Sequence, residues 1–147
     1  MSTKVQLKNI RLEGKHGKPI LVDIYYKADG KPKPVIVFSH GFKGFKDWGH
    51  FDLLAQEMAK KSFVYVKFNF SHNGTTPEQP TYFADLEAFG HNTITIELDD
   101  LGTVIDFVTS HQELKESGEA NLDELYLFGH SKGGGITILK ASEDERV

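Results

Sequence analysis

Hydrophobic and polar residues alternate over two segments near the start of the chain. In the first segment the alternation changes parity at Lys8 and Asn9, which predicts a strand with a β-bulge at that point. In the second segment, from position 20 to position 26, the alternation is uninterrupted. Turn-forming residues separate the two segments, so we predict an antiparallel hairpin whose second strand has one face in water.

Three later segments are continuously apolar, as is typical of strands covered on both faces. These segments are 35–38, 63–70 and 125–128. Between them, in 51–58 and 94–108, hydrophobic residues recur every three or four positions, the spacing of one helix face. The order strand, helix, strand, helix, strand predicts a parallel sheet with helices on both sides, within one domain over 1–147.

Two stretches, 41–49 and 71–92, show neither periodicity. Both follow predicted parallel strands, so we expect them at the edge of the sheet where open α/β folds bind ligands. Tyr82, Phe83 and Phe89 in the second stretch are candidates for lining a substrate pocket. Ordinary loop packing would explain these aromatic residues equally well.

Composition narrows the class of partner. The chain has 147 residues, of which 39% are hydrophobic, and this is enough for a buried core. Its formal net charge of -4 comes from acidic and basic residues that are mixed along the sequence. Neither nucleic acid nor an anionic membrane is therefore an expected partner, and we expect a small-molecule ligand instead.

The sequence also argues against disulfides, metal or cofactor sites, a signal peptide and a membrane span. The chain contains no cysteine, which excludes disulfides and thiolate metal sites. No histidines and carboxylates occur at metal-ligand spacing, so neither a metal nor another cofactor is expected. The first residues lack the apolar core of a signal peptide, and no apolar run reaches the roughly 18–20 residues that cross a bilayer. We therefore expect a cytoplasmic protein.

The motif Gly129-His130-Ser131-Lys132-Gly133 follows the last apolar segment and precedes a helix predicted over 131–139. A Gly-x-Ser-x-Gly turn between a strand and a helix is so tight that the serine adopts a strained conformation and presents its hydroxyl above the sheet. Side chains at Gly129 and Gly133 would collide with neighbouring backbone. The positive end of the helix would favour the negative charge of acyl transfer. Ser131 is therefore the candidate nucleophile.

A second motif, Ser39-His40-Gly41-Phe42-Lys43-Gly44, follows the first continuously apolar segment. A serine hydrolase needs two backbone N–H donors for the oxyanion, one from the residue after the nucleophile and one from the loop after the third strand. Lys132 and Phe42 occupy those positions and are the candidate oxyanion-hole residues, with the side chain of Lys132 expected in solvent. His40 and Gly41 would support the loop, although a purely structural His-Gly pair would look the same.

The serine motif has two other interpretations. Ser131 could merely cap the helix in a glycine-rich packing turn. A phosphate-binding loop is a further alternative, but Lys132 follows the serine, whereas the lysine of such a loop precedes the hydroxyl residue. The buried strand before the turn and the helix after it favour the nucleophile.

Together these motifs resemble the α/β-hydrolase superfamily, and within it the dienelactone-hydrolase-like and serine-aminopeptidase-like esterases with a His-Gly-Phe oxyanion loop. The resemblance covers nearly all of the chain. It implies an α/β-hydrolase fold, a three-layer sandwich in which an antiparallel first pair is followed by parallel strands in the order 1-2-4-3-5-6-7-8. It also implies a nucleophile after strand five and an ester or similar acyl substrate.

The sequence departs from that family after the nucleophile. The few residues beyond Ser131 include no histidine, and the acidic residues Glu143, Asp144 and Glu145 lie about three helical turns further on. The family's remaining strands, its triad acid and its catalytic histidine are therefore not found in the chain. We expect a fragment of a longer hydrolase, with the sheet truncated after strand five.

The seven histidines all precede Ser131. His130 is a poor candidate for the missing general base because an elbow should direct its side chain away from the serine hydroxyl. His40 is equally poor because it belongs to the oxyanion loop. His72 and His91 lie on or beside the stretch 71–92 and are fallback candidates.

Two functions of different classes remain open. The first is a carboxylesterase-like serine hydrolase that forms an acyl-enzyme on Ser131 and is nearly inactive as this fragment. The second is a non-catalytic hydrolase-like module that binds a ligand or a protein partner. In either case the unpaired apolar edge at 125–128 would recruit other chains, so we expect a homo-oligomer formed through this strand.

Overall fold

The computed structural model describes residues 2–147 as a five-stranded sheet with five helices. The strands are β1 (Thr3–Glu13), β2 (Pro19–Ala28), β3 (Lys33–Ser39), β4 (Val64–Asn69) and β5 (Ala120–Gly129). The helices are α1 (Phe51–Lys60), α2 (Leu86–Gly90), α3 (Ile94–Ser110), α4 (Gln112–Glu116) and α5 (Lys132–Glu143). Within residues 2–147, none of these helices is long and apolar enough to cross a bilayer.

The strands lie in the order β1-β2-β4-β3-β5, which confirms the predicted order. β2 pairs with both β1 and β4 in antiparallel fashion, whereas β3 pairs in parallel with β4 and β5. The register of β1 against β2 shifts between Leu7 and Ile10, and Asn9 has a φ of 56°. The bulge therefore lies where the sequence changes parity.

Helices cover both faces of the sheet, as predicted for a three-layer sandwich. On one face α3, α4 and α5 bury apolar side chains against the strands. On the other face α1 packs mainly against β2 and β4. The apolar residues buried on the α1 face are Tyr25, Ile36, Phe38, Ala55, Ala59 and Tyr65.

The prediction that β2 has one face in water is wrong. Asp23, which supplied a polar position of the alternation, is fully buried on the α1 face. Its Oδ2 lies 3.0 Å from Lys46 Nζ and 3.3 Å from Lys67 Nζ, and both lysines are also fully buried. Its Oδ1 accepts a hydrogen bond of 2.8 Å from the N–H of Asn9 at the bulge. Asp47 supplies a second carboxylate, whose Oδ2 lies 2.7 Å from Lys46 Nζ. Because two carboxylates balance the two ammonium groups, the polar face of β2 can be buried.

The expectation that 125–128 is covered on both faces is also wrong. Tyr126 and Phe128 are 52% and 47% exposed, because α1 packs mainly on the far side of β3 from β5. On the neighbouring helix α5, Ile138 and Leu139 are exposed as well, whereas Ile136 is buried. Within residues 2–147, the outer edge of β5 has no paired strand.

The stretch 71–92 contains a helix that the sequence pattern did not predict. α2 has five residues, which is too short for a helical period to be recognised. Its start is fixed by Asp85, whose Oδ1 accepts a hydrogen bond of 3.1 Å from the N–H of Ala88.

The buried charges beneath α1 lead to a stability prediction. Replacing Asp23 with alanine leaves Lys46 and Lys67 buried with fewer anionic partners, so the free energy of unfolding should fall by about 3–5 kcal/mol. The matched control is Glu57→Ala, which breaks the exposed 3.2 Å pair with Lys60 and should cost less than about 1 kcal/mol. Urea denaturation followed by circular dichroism measures both changes, and equal losses in the two variants would contradict the prediction.

Candidate active site

Ser131 forms the bend between β5 and α5. Its backbone has φ 57° and ψ -121°, a conformation that is strained for a residue with a side chain. The residue is exposed, and its side chain makes no capping hydrogen bond to α5. The interpretation of Ser131 as a mere helix cap is therefore wrong.

Glycines permit this bend because the backbone segments around it are in direct contact. A Cβ atom on Gly129 would overlap the backbone of Gly133, and one on Gly133 would overlap the carbonyl oxygens of Ser39 and His40. The N–H of His130 donates a hydrogen bond of 3.1 Å to the carbonyl of Ser39. The bend thus packs backbone against backbone on the carboxyl end of β3.

The loop after β3 passes beside Ser131. A Cβ on Gly41 would lie 3.2 Å from Ser131 Cβ and 3.0 Å from the carbonyl oxygen of His130, so a side chain at position 41 would force the loop away. Lys43 has a φ of 60°, and the N–H of Gly44 donates a hydrogen bond of 3.0 Å to the carbonyl of Gly41. This tight turn holds Phe42 next to the bend.

Two backbone N–H groups are left without an acceptor at this point. In the part of the chain that the structure describes, neither the N–H of Phe42 nor that of Lys132 donates a hydrogen bond. A pocket of about 240 Å³ opens in front of Ser131. The residues that line it are Gly41, Phe42, Lys43, Gly44, Trp48, Phe51, His130 and Ser131.

His40 connects this loop to the end of β4. The N–H of Phe70 donates a hydrogen bond of 3.3 Å to His40 Nε2, and His40 Nδ1 lies 2.8 Å from the carbonyl oxygen of Gly41. Both contacts are satisfied when the neutral ring carries its proton on Nδ1. Burial lowers the pKa of His40 to about 4, so the ring is neutral near pH 7.

Asparagines and lysines hold the remainder of the loop from below. The N–H of Lys46 donates a hydrogen bond of 2.6 Å to Asn69 Oδ1, and Lys67 Nζ donates one of 3.0 Å to the carbonyl of Lys46. Asn73 Nδ2 donates to the carbonyl of Gly44 at 3.3 Å. Burial by itself would raise the pKa of Asp47, but hydrogen bonds from Lys46 and Lys67 outweigh it and lower that pKa. No sequence pattern predicts these anchors, because lone polar residues in strands and loops have no recognisable spacing.

The side chain of Lys132 does not extend freely into solvent as expected. Its Nζ lies 2.9 Å from Glu97 Oε1, and Glu97 on α3 is buried. The same Nζ lies 5.9 Å from the centroid of the Phe42 ring. This ion pair ties the first turn of α5 to α3 and neutralises a positive charge beside the pocket.

No family model matches the chain. The uncharacterized protein PA2218 of Pseudomonas aeruginosa is 25% identical over 149 residues, which cover 100% of this chain and 36% of PA2218. The crystal structure of that protein aligns with a TM-score of 0.70 and 18% identity over 98% of this chain and 40% of the other.

The α/β hydrolase GrgF from Penicillium sp. sh18 aligns with a TM-score of 0.73 and 14% identity over 97% of this chain and 43% of its own. The chain has the fold of the amino-terminal part of an α/β-hydrolase. An esterase from Pyrobaculum calidifontis aligns with a TM-score of 0.65 and 19% identity, over 94% of this chain and 39% of the esterase. The chain thus spans about two fifths of the length of these relatives.

Within residues 2–147, no histidine forms a hydrogen bond with the Ser131 hydroxyl. His130 packs on the rings of Trp48 and Phe51, at centroid distances of 6.3 and 5.7 Å. His91 Nδ1 contacts the carbonyl of Glu87 at 2.8 Å at the end of α2. Glu143 and Asp144 pair with Lys140 and Arg146 at the opposite end of α5 from Ser131. Residues 2–147 therefore supply no general base to Ser131, nor any group of three metal-ligating side chains.

The fallback candidate His72 belongs to another cluster. Its Nδ1 lies 2.7 Å from Ser71 Oγ, and Ser71 donates hydrogen bonds of 2.8 Å from its N–H and its hydroxyl to Asp100 Oδ2. Ser71 therefore lies between the histidine and the aspartate, whereas in a catalytic triad the histidine lies in the middle. Burial raises the pKa of Asp100 to about 6, although the hydrogen bonds from Ser71 act in the opposite direction.

The raised pKa of Asp100 makes stability depend on pH. An unfolded aspartate ionises near 3.8, so between about pH 4 and pH 6 the folded state binds more protons, and this residue's contribution to the free energy of unfolding falls as pH rises. Relative to the unmodified protein, Asp100→Asn should therefore gain up to about 3 kcal/mol between pH 4 and pH 8. Urea denaturation at several pH values measures the difference, with the exposed Asp123→Asn as control. A difference that stays constant with pH would show that Asp100 does not titrate in this range.

The bend itself is tested by two glycines of α5. Gly133→Ala should lower the free energy of unfolding by about 3 kcal/mol or more, because its Cβ would overlap two carbonyl oxygens that cannot move independently of β3. Gly135→Ala places a methyl group where no atom lies within 4 Å and should raise stability by about 0.5–1 kcal/mol. Thermal and urea unfolding compare the two variants. Similar stability changes in the two variants, with neither of them destabilised, would mean that the bend is loosely packed.

Proposed function

We propose that Ser131 is the nucleophile of a serine hydrolase that acts on carboxylic esters or similar acyl compounds. The observation that carries this proposal is the strained, exposed conformation of Ser131 beside two backbone N–H groups without acceptors. The α/β-hydrolase fold supports it, because its neighbours include an esterase and a hydrolase. Ser131 lies at the strand-to-helix bend where this fold presents its nucleophile.

In the proposed reaction Ser131 Oγ attacks the carbonyl carbon of the ester. The carbonyl oxygen becomes an oxyanion, which accepts hydrogen bonds from the N–H groups of Phe42 and Lys132, while the positive end of α5 favours the same charge. A general base that takes the Ser131 hydroxyl proton returns it to the departing alkoxide, which leaves as the alcohol when the tetrahedral intermediate collapses. Water then hydrolyses the acyl-enzyme, which releases the carboxylic acid and restores the Ser131 hydroxyl. Gly41 serves this step by allowing the loop to approach Ser131.

The general base is the part of this mechanism that residues 2–147 do not supply. Without a base the serine hydroxyl is a weak nucleophile, and loss of triad members typically lowers the rate by several powers of ten. We therefore propose that residues 1–147 alone have little hydrolytic activity, although within residues 2–147 the N–H groups of Phe42 and Lys132 are free to donate hydrogen bonds to an oxyanion.

Labelling with a fluorophosphonate tests Ser131 as the nucleophile. Residues 1–147 should react slowly at Ser131, and added imidazole should accelerate the reaction because it can act as the absent base. Ser131→Ala should abolish both the slow and the accelerated labelling. Ser142→Ala, which removes an exposed serine near the end of α5, should leave them unchanged. Mass spectrometry of the labelled peptide identifies the site, and labelling that does not depend on Ser131 would refute the proposal.

A non-catalytic hydrolase-like module is the second candidate, favoured by the same lack of a base in the described residues. Experiments on the translation product of the whole gene distinguish the two candidates. A hydrolase requires an aspartate and a histidine in frame beyond the codon for Val147, together with rapid labelling at Ser131. Ligand binding without any labelling in that product would favour the binding module.

A further inference from the structure

A second pocket lies beside the candidate active site. It has a volume of about 280 Å³ and is lined by Lys43, Phe83, Leu86 and Phe89; we call it the phenyl groove. Lys43 also lines the pocket in front of Ser131, so the two pockets share a wall. We infer that the phenyl groove binds the acyl chain of the substrate, a medium-length apolar chain whose carboxyl carbon lies at Ser131. This inference rests on the proposed function and extends it to a substrate class.

Aromatic rings form a continuous path between the two pockets. The ring of Phe42, next to Ser131, lies 5.5 Å from the ring of Phe89, which in turn lies 6.4 Å from Phe83. Phe42 and Leu86 are 61% and 67% exposed. Large apolar side chains that are exposed next to one another and beside a reactive group are typical of ligand grooves.

The groove is preformed by contacts within residues 71–92. Gly74 has a φ of 98°, and a Cβ there would lie 3.2 Å from the ring of Phe83 and 3.3 Å from the Cβ of Phe89, so the backbone at Gly74 packs directly against both residues. The N–H of Asp85 donates a hydrogen bond of 2.9 Å to the carbonyl of Gly74. The Asp85 carboxylate also pairs with Lys18 at 3.0 Å, which fixes the start of α2 in place.

The charges where the two pockets meet favour the acyl part of the ester, rather than its alcohol part, as the occupant of the phenyl groove. Hydrolysis of an ester leaves a carboxylate on the acyl product, whereas the alcohol product is uncharged. Lys43 Nζ lies 5.7 Å from the centroid of the Phe42 ring and has no salt bridge within residues 2–147. Together with the free amides of Phe42 and Lys132, it provides a positive end for a carboxylate. The groove beyond Lys43 provides only apolar side chains for the attached chain.

Binding of product carboxylates tests the inference without any need for catalysis. Acetate, butanoate, hexanoate and octanoate are titrated into ¹⁵N-labelled residues 1–147, and amide chemical shifts are followed. The dissociation constant should fall by roughly fourfold for each added methylene, as expected for apolar burial. The shifts that grow with chain length should be centred on Phe83, Leu86 and Phe89.

A matched pair of variants locates the site. Leu86→Ser should weaken octanoate binding by about tenfold and leave acetate binding unchanged. Leu53→Ser removes a leucine that is 59% exposed on α1, away from both pockets, and should change neither. Octanoate shifts centred on the exposed apolar residues of β5 and α5 would overturn the assignment. Equal effects of the two variants would overturn it as well.

The outcomes separate this inference from the proposed function. If Ser131 is labelled but octanoate binding does not depend on Leu86, the assignment of the phenyl groove is wrong and Ser131 remains the proposed nucleophile. If binding depends on chain length and on Leu86 but no condition gives Ser131-dependent labelling, the phenyl groove is supported and the proposed hydrolase function is refuted.

Discussion

The site depends on a contact between two pieces of backbone, the bend at 129–133 and the end of β3. Gly133 lies so close to the carbonyl groups of Ser39 and His40 that no side chain fits between them. This contact fixes the height of Ser131 relative to the loop after β3, and it brings Gly41 against the same serine. A nucleophile and its oxyanion donors must be aligned within a fraction of an ångström. Direct backbone packing achieves that alignment with few adjustable torsions, since neither partner contributes a flexible side chain.

The buried charged residues hold the loop after β3, residues 41–49, from the side opposite the bend. Lys46 and Lys67 connect 41–49 to β2 and β4, and Asp23 and Asp47 neutralise them. Apolar residues would stabilise the core at least as well. A charged cluster differs in that each group has directional partners, so it specifies one position for the loop. His40 acts similarly at the other end of the loop, where a neutral buried ring bridges Phe70 and Gly41.

The sequence predicted those features that follow from period or from backbone sterics. The parity change at Lys8 and Asn9 located the bulge, and the continuously apolar segments located the parallel strands. The order of the strands in the sheet was implied by the resemblance to the α/β-hydrolases. The sequence pattern failed where polar residues are buried in pairs. The alternation predicts a solvent-exposed position for Asp23 in β2, because its partners, Lys46 and Lys67, are distant in sequence and do not enter the pattern. Lys132 was assigned to solvent because nothing in its neighbourhood points to Glu97. α2 was missed because a five-residue helix depends on a cap at Asp85 rather than on periodicity.

The described residues separate two requirements of acyl transfer that are normally found together. The proposed oxyanion donors are backbone groups of the loop and the turn, so they require only that β3, β5 and α5 pack as observed. A general base is a side chain that must reach Ser131 from another element, and residues 2–147 contain no such side chain. Oxyanion stabilisation and substrate binding without a triad still accelerate hydrolysis by roughly 10³–10⁴-fold over water. On the proposed function, residues 2–147 would therefore bind acyl compounds more effectively than they convert them. Ligand binding, rather than turnover, is therefore the property by which the proposed site is tested most directly in residues 2–147.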